Sequence, residues 1–104
     1  MKNQEIADIF RGIANILEIK AENRFRIRAY ERAAQNIEGL PEDIQEYIKR
    51  GNLRDIPGIG EDLSVKIKEY TDTGKIKFYE ELKKALPEGL LELLDIPGLS
   101  LIHI

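Results

Sequence analysis

The four residues Pro57-Gly58-Ile59-Gly60 have the composition of a turn that could bind an anion. Proline fixes one backbone torsion and glycine permits left-handed or tightly folded backbone, so these residues predict a sharp turn. Helical periodicity resumes at Glu61, and the turn would therefore lead directly into the N-terminus of a helix. Unpaired backbone N–H groups and the positive end of the helix dipole would then point in one direction, which is the geometry of a phosphate-sized anion site.

The sequence around this turn argues both for and against such a site. Apolar residues flank the turn and would anchor it to a core, with Ile59 pointing inward. They are Leu53 and Ile56 before the turn and Leu63 and Ile67 after it. Glu61 and Asp62 oppose the site, because their negative charges lie in the first turn of the following helix. A turn that only joins two helices and binds nothing stays an open alternative.

The same turn sequence occurs a second time near the end of the chain. Residues 53–59 read LRDIPGI, and residues 93–99 read LLDIPGL. Ser100 stands in the second copy where the first has Gly60. We therefore expect the second copy to be the start of another such turn, without a working anion site.

Composition restricts the classes of protein to consider. The 104 residues suit one small domain, and the lack of cysteine excludes disulfides, thiolate zinc sites and cysteine nucleophiles. No apolar run approaches the roughly 20 residues of a membrane helix. The net charge of −3 is unevenly distributed, since residues 20–36 carry five basic and two acidic side chains, whereas residues 37–48 carry four acidic and no basic ones. A positive surface on an acidic protein can still attract a phosphate, because the phosphate responds to the local potential.

The spacing of apolar residues predicts helices that would position these groups. The first helix would begin after an N-cap at Asn3. The second would span residues 22–38, with Phe25, Ala29 and Tyr30 among the residues of its apolar side.

Three shorter helices would follow. Pro41 would open a third helix that ends at Gly51, and a fourth would run between Gly60 and Gly74. A fifth would carry Phe78 on its apolar side. No segment alternates long enough to predict a sheet, so we expect an all-α fold, a compact bundle of four or five short helices in which the turn joins two neighbours.

Two stretches resemble a known family. The segment LRDIPGIGEDLSVKIKEYTDTGKI, residues 53–76, resembles the helix-hairpin-helix motif. With FRIRAYERAAQNIEGLPEDI at residues 25–44, it makes residues 1–99 similar to the N-terminal domain of bacterial and archaeal family X DNA polymerases, which is related to the lyase domain of polymerase beta. The resemblance implies a helix-hairpin-helix DNA-binding domain at 1–87, the start of a truncated second motif at 88–99, and a tail at 100–104 outside the family pattern.

The resemblance implies a sequence-independent DNA-binding domain of a repair polymerase that grips the 5′-phosphate side of gapped or nicked DNA. An active 5′-deoxyribose-phosphate lyase is the alternative, and a helical interaction module that binds no DNA is a further one. The expected partners are gapped or nicked DNA and the rest of a polymerase chain. We expect a monomer in the prokaryotic cytoplasm, associated with the nucleoid, and no nucleotide transfer by this fragment.

The family pattern also assigns roles to side chains of this sequence. The implied DNA-binding residues are those of the hairpin and a set of basic or tyrosine side chains: Pro57, Gly58, Ile59, Gly60, Arg26, Tyr30, Arg54, Arg24 and Arg28. An arginine fork suits a phosphate well, and Tyr30 could donate a hydrogen bond to it. A core role for Tyr30 and a solvated face for the arginines stay open.

Matched through the hairpin, the Schiff-base lysine of the lyase falls on Lys66. A nucleophilic lysine must lose its proton, yet Asp62 lies four residues upstream at ion-pair spacing and favours the charged form. In the polymerase beta pattern a lysine stands where this chain has Asp62, so this departure weakens the lyase assignment. The resemblance further implies a K⁺ or Na⁺ ion held by hairpin carbonyls such as those of Ile56 and Ile59.

Overall fold

The computed structural model describes residues 2–86, which form five α-helices and one short 3₁₀ turn. The helices are α1 (Lys2–Ile19), α2 (Arg24–Glu38), α3 (Ile44–Arg50), α4 (Glu61–Thr73) and α5 (Lys77–Lys84), and the 3₁₀ turn is Leu53–Asp55. The prediction of an all-α bundle is confirmed. The predicted second motif at 88–99 and the tail at 100–104 lie outside the described residues.

The core is built on α1, which contacts each of the other four helices. Its apolar residues recur at three- and four-residue spacing, which places one continuous face toward the bundle. Members of this face are at most 1% exposed: Ile6, Ala7, Phe10, Ile13, Ala14, Ile16 and Leu17. Phe10 meets Tyr30 of α2 edge to face, with 5.5 Å between the ring centroids. Burial of each large apolar side chain contributes about 1.5–3 kcal/mol to the stability of the folded state. The buried face of α1 is therefore the centre of the core against which the other helices pack.

The N-termini of α1 and α3 are held together by side chains. Asn3 lies inside α1 and is buried, and its Oδ1 accepts the Ile44 N–H at 2.7 Å. Its Nδ2 donates to the Glu42 carbonyl at 2.8 Å. In return, the Asp43 carboxylate accepts the Lys2 N–H at 3.3 Å. The prediction that Asn3 is the N-cap of α1 is therefore wrong, because its amide bonds the start of α3 instead.

The prediction that Pro41 opens the third helix is also wrong. The helix begins at Ile44, and Asp43 is its N-cap, accepting the Gln45 N–H at 2.9 Å. Asp is among the best N-cap residues, so it sets the start three residues after the proline. The predicted end is confirmed, since Gly51 caps the helix in the left-handed conformation at φ 72°.

The second helix presents a different face to the core from the predicted one. Tyr30 and Ile37 are buried as expected, but Phe25 is 83% exposed and Ala29 is exposed as well. At 3.6 residues per turn, positions 25 and 29 point a quarter-turn or more away from the line through the buried residues. The placement of Phe25 and Ala29 on the apolar side is wrong, and α2 holds an aromatic ring in solvent.

The fifth helix and its N-cap residue bury side chains that the sequence interpretation did not assign to the core. Ile76 is fully buried, and Tyr79 is 5% exposed. Phe78, which the prediction placed on the apolar side, packs only partly against the core. It is therefore free to contact charged side chains from other helices.

A surface ion pair joins α1 to α2. Both terminal nitrogens of the Arg11 guanidinium donate to the Glu38 carboxylate, at 2.7 and 3.0 Å, and Gln4 donates to the same carboxylate at 2.9 Å. These hydrogen bonds lower the pKa of Glu38 from 4.5 to about 2, with the Arg11 bond the largest cause. At any pH where Glu38 is ionised, its hydrogen bonds to Arg11 and Gln4 therefore stabilise the folded state.

We expect Glu38→Gln to reduce the loss of stability on acidification. The folded pKa of Glu38 lies below the unfolded one, so its contribution is present above pH 4.5 and is lost as the pH falls toward 2. Because its side chain is 39% exposed, screening limits that contribution to about 1 kcal/mol or less. Urea unfolding at about pH 5 and about pH 2 measures it, with Glu31→Gln as the control on the same helix. Equal acid sensitivity of Glu38→Gln and wild type would contradict the assignment.

Candidate functional site

The predicted turn is present and is anchored as expected. The Ile59 N–H donates to the Ile56 carbonyl at 3.1 Å, and Gly58 has φ +84°. Proline at the second position and a positive φ at the third define a type II turn, which requires glycine at that third position. Ile56 and Ile59 are 3% and 4% exposed, whereas Pro57 and Gly58 lie in solvent. The core therefore holds both ends of the turn and leaves its tip outside.

The turn leads into a helix end whose N–H groups are free. The first hydrogen bond of α4 runs from the Ser64 N–H to the Gly60 carbonyl, and no side chain caps this end. The N–H groups of Glu61, Asp62 and Leu63 therefore have no acceptor within the helix. Gly60 has φ −93°, and a Cβ added there would meet nothing within 4 Å. The fold itself does not require glycine at this position, and the open space lets a ligand approach the backbone.

A cluster of cations and aromatic rings lies where α2, α4 and α5 meet. The Arg26 guanidinium lies 4.9 Å from the centroid of the Phe78 ring, and the Lys66 ammonium lies 5.2 Å from it. Tyr30 stacks near the same ring at 6.3 Å between centroids. We call these four residues the Phe78 cluster. Three sequence-predicted site residues are thus brought together by an aromatic side chain that the sequence interpretation treated as core.

Tyr30 is buried within this cluster, and its hydroxyl has no hydrogen-bond partner among the described residues. Burial is the largest cause of the raised pKa of Tyr30, the nearby charges of Lys66 and Arg26 oppose it, and Asp62 adds to it. An unsatisfied buried hydroxyl costs stability unless something bonds it. Because this oxygen is covered and the Lys66 side chain lies beside it, a ligand group could bond it only after the covering side chains move.

Lys66 has the ion pair that the sequence predicted. Its Nζ lies 2.8 Å from the Asp62 Oδ1, and its side chain is 13% exposed while that of Asp62 is 72% exposed. Most of the lysine stem is thus covered, and the carboxylate on the solvent side is free to move. A role for this amine in covalent chemistry requires that the carboxylate leave it.

The other predicted basic residues lie elsewhere. Arg54 lines a cavity of about 100 Å³ with Ser64 and Lys68. Lys66 and Lys68 lie about 200° apart around α4, so this cavity and the Phe78 cluster occupy opposite edges of the helix. Arg24 and Arg28 line a separate cleft between α1 and α2.

Sequence reasoning also missed Asn36. Its side-chain amide donates to the Pro57 carbonyl at 2.6 Å, which joins α2 to the turn. The signal in the sequence is weak, because a polar residue near the end of a helix is normally a solvated one. Phe78 could have been found only by knowing that α5 returns beside α2 and α4.

Comparisons with known proteins agree with this geometry. The sequence profile of a helix-hairpin-helix domain matches residues 1–76. The chain is 35% identical over 100 residues to DNA polymerase/3′-5′ exonuclease PolX of Bacillus subtilis (strain 168), a match that covers 96% of this chain and 17% of that protein. The chain thus spans about one-sixth of the relative's length and corresponds to its N-terminal part.

None of the helices within residues 2–86 is both long and apolar enough to cross a bilayer.

The turn geometry, the uncapped start of α4 and the profile match lead to one classification. The chain belongs to the helix-hairpin-helix domain family, in a form similar to the N-terminal part of a family X DNA polymerase.

Proposed function

We propose that this domain binds DNA without reading its sequence and that it holds the 5′-phosphate side of a gap or nick. The observation that carries the proposal is the uncapped N-terminus of α4 behind an exposed turn, six residues before a cationic cluster. Six residues correspond to about 9 Å along the helix, so the two places are separate. One phosphate would lie at the hairpin N–H groups and a second at the Phe78 cluster.

The chemistry of both places suits phosphate rather than bases. Backbone N–H groups at a helix end bind phosphate oxygens and are the same for every base sequence. At the cluster, Arg26 offers a planar fork for a phosphate, and the buried Tyr30 hydroxyl would offer a further donor once the side chains that cover it move. Glu61 and Asp62 oppose an anion nearby, so we expect weak binding.

We further propose that a monovalent cation binds at the same hairpin. The Ile56 carbonyl uses one lone pair on the Ile59 N–H, and no backbone N–H within residues 2–86 donates to the Ile59 carbonyl. The Pro57 carbonyl is engaged by Asn36. K⁺ or Na⁺ held by the carbonyls of Ile56 and Ile59 would place a positive charge between the protein and a phosphate.

In the full-length protein, we expect this domain to be joined to the remainder of a polymerase chain.

We expect gapped DNA with a 5′-phosphate to bind at micromolar or weaker Kd, in the range of about 10⁻⁴–10⁻⁶ M typical of nonspecific binding. Arg26→Ala should weaken this binding by about 3- to 30-fold, because a charge-assisted hydrogen bond to phosphate is lost. It should also remove most of the preference for 5′-phosphate over 5′-hydroxyl DNA. Fluorescence anisotropy at fixed salt measures both quantities.

Lys49→Ala is the control, since it removes the same charge from an exposed position on α3. It should leave the phosphate preference unchanged. Equal binding of both DNAs by wild type would contradict the 5′-phosphate assignment. Absence of salt-dependent DNA binding would favour a helical interaction module.

A lyase activity is a second candidate, and the burial of Lys66 beside the free Tyr30 hydroxyl favours it. The Lys66 Nζ would attack the C1′ aldehyde of a 5′-deoxyribose phosphate, and loss of water would give an imine. A base would then remove a proton from C2′, the C3′–O bond would break with departure of the 3′-phosphate group, and water would hydrolyse the imine to regenerate the Lys66 amine. The Asp62 carboxylate would first have to leave the amine, and this requirement argues for a slow reaction.

We expect borohydride to trap an adduct with preincised abasic DNA if Lys66 is the nucleophile, because hydride reduces the imine to a stable amine. Lys66→Ala should abolish the adduct, and Lys68→Ala should not, since that lysine lies on the opposite edge of α4. Gel analysis of the trapped complex gives the yield. Trapping by Lys66→Ala at the wild-type yield would rule out this lysine, and no trapping by wild type would leave DNA binding as the function.

A further inference from the structure

We infer that Asn36 is a positioning residue that fixes the direction of the Gly58 N–H, an inference that rests on the proposed DNA-binding function. Asn36 lies near the C-terminal end of α2, and its amide reaches across 21 residues of sequence to the Pro57 carbonyl. The 2.6 Å donor–acceptor distance is short for a hydrogen bond between an amide and a carbonyl. Pro57 has no backbone N–H, so its carbonyl is the one polar group of this residue that can form a hydrogen bond.

The Pro57 carbonyl and the Gly58 N–H belong to the same peptide group. None of the peptide bonds within residues 2–86 is cis, and in a trans peptide the carbonyl and the N–H point in opposite directions. With the carbonyl held toward α2, the Gly58 N–H points away from α2. One hydrogen bond from Asn36 therefore sets the direction of a donor at the exposed tip of the hairpin.

This peptide group is the part of the turn that can reverse. A type II turn becomes a type I turn when its central peptide rotates by about 180°, with little movement of the flanking residues. The residue after the central peptide must then change from positive to negative φ, which glycine does at little cost. Gly58 at φ +84° thus permits both states, and the Asn36 bond favours the observed one.

The contact between α2 and the turn is close enough to hold the turn in the observed type II state. A Cβ added to Gly58 would lie 3.2 Å from the Asn36 Nδ2 and 3.5 Å from the Arg32 Cγ. The aliphatic stem of Arg32 and the Asn36 amide therefore lie directly against the turn. Asparagine is a weak helix former, so α2 gains nothing in helix propensity from it at this position.

The test compares Asn36→Ala with Gln35→Ala, two neutral substitutions at adjacent positions of α2. The probe is gapped DNA with a 5′-phosphate, titrated by fluorescence anisotropy over a series of KCl concentrations. Asn36→Ala should weaken binding by about three- to tenfold and leave the slope of log K against log salt unchanged, because the lost phosphate contact comes from a neutral N–H that releases no counterion. Gln35→Ala should change neither quantity, and neither variant should lower Tm, because alanine favours the helix.

A second measurement follows the peptide group itself. ¹⁵N relaxation dispersion should detect microsecond-to-millisecond exchange at the Gly58 amide in Asn36→Ala and not in wild type or Gln35→Ala. A merely structural role of Asn36 would lower Tm without this localised exchange.

The inference is overturned if Asn36→Ala keeps the wild-type affinity, or if Gln35→Ala loses as much affinity. If no protein, wild type included, binds the DNA, the proposed function fails. The Gly58 exchange then decides the positioning role, and its absence from Asn36→Ala overturns that role.

Discussion

The site depends on the burial of two isoleucines on either side of an exposed Pro-Gly turn. Ile56 and Ile59 are nearly fully buried, so the backbone between them must reverse within two residues at the surface. That reversal requires the positive φ of Gly58 and starts α4 immediately after Gly60. The free N–H groups of the helix end are thus a consequence of packing, and no side chain is needed to create them.

In the Phe78 cluster, as in the hairpin, apolar contacts hold polar groups in place. Arg26 and Lys66 come from different helices, and the face of one aromatic ring attracts both cations. Two like charges near one ring repel each other, and the Asp62 carboxylate beside Lys66 offsets that repulsion in the free protein. A phosphate would supply the same compensation. One arrangement can therefore suit both the free domain, with Asp62 in place, and the proposed DNA complex, with phosphate present.

Local patterns in the sequence predicted the parts of the site that depend on neighbouring residues. The turn and its inward isoleucine follow from proline and glycine chemistry, and the Lys66–Asp62 pair follows from helical spacing. The face of α2 was misjudged because its apolar stripe is wide, with Phe25 and Ala29 at one edge, Tyr30, Ala34 and Ile37 at the other, and the buried Ala33 between the two edges. Only the packing of α1 decides between them.

The contacts of Phe78 and Asn36 depend on how distant helices pack, so local sequence patterns could not predict them.

The central claim is that the hairpin N–H groups hold a DNA phosphate, and an NMR titration of the ¹⁵N-labelled domain tests it most directly. With a gapped duplex carrying a 5′-phosphate, the largest amide shift changes should fall on the hairpin and helix-end donors: Gly58, Glu61, Asp62 and Leu63. A 5′-hydroxyl duplex should reduce them. Shift changes confined to the Arg54–Lys68 cavity or to α1, with the hairpin amides unmoved, would contradict the account.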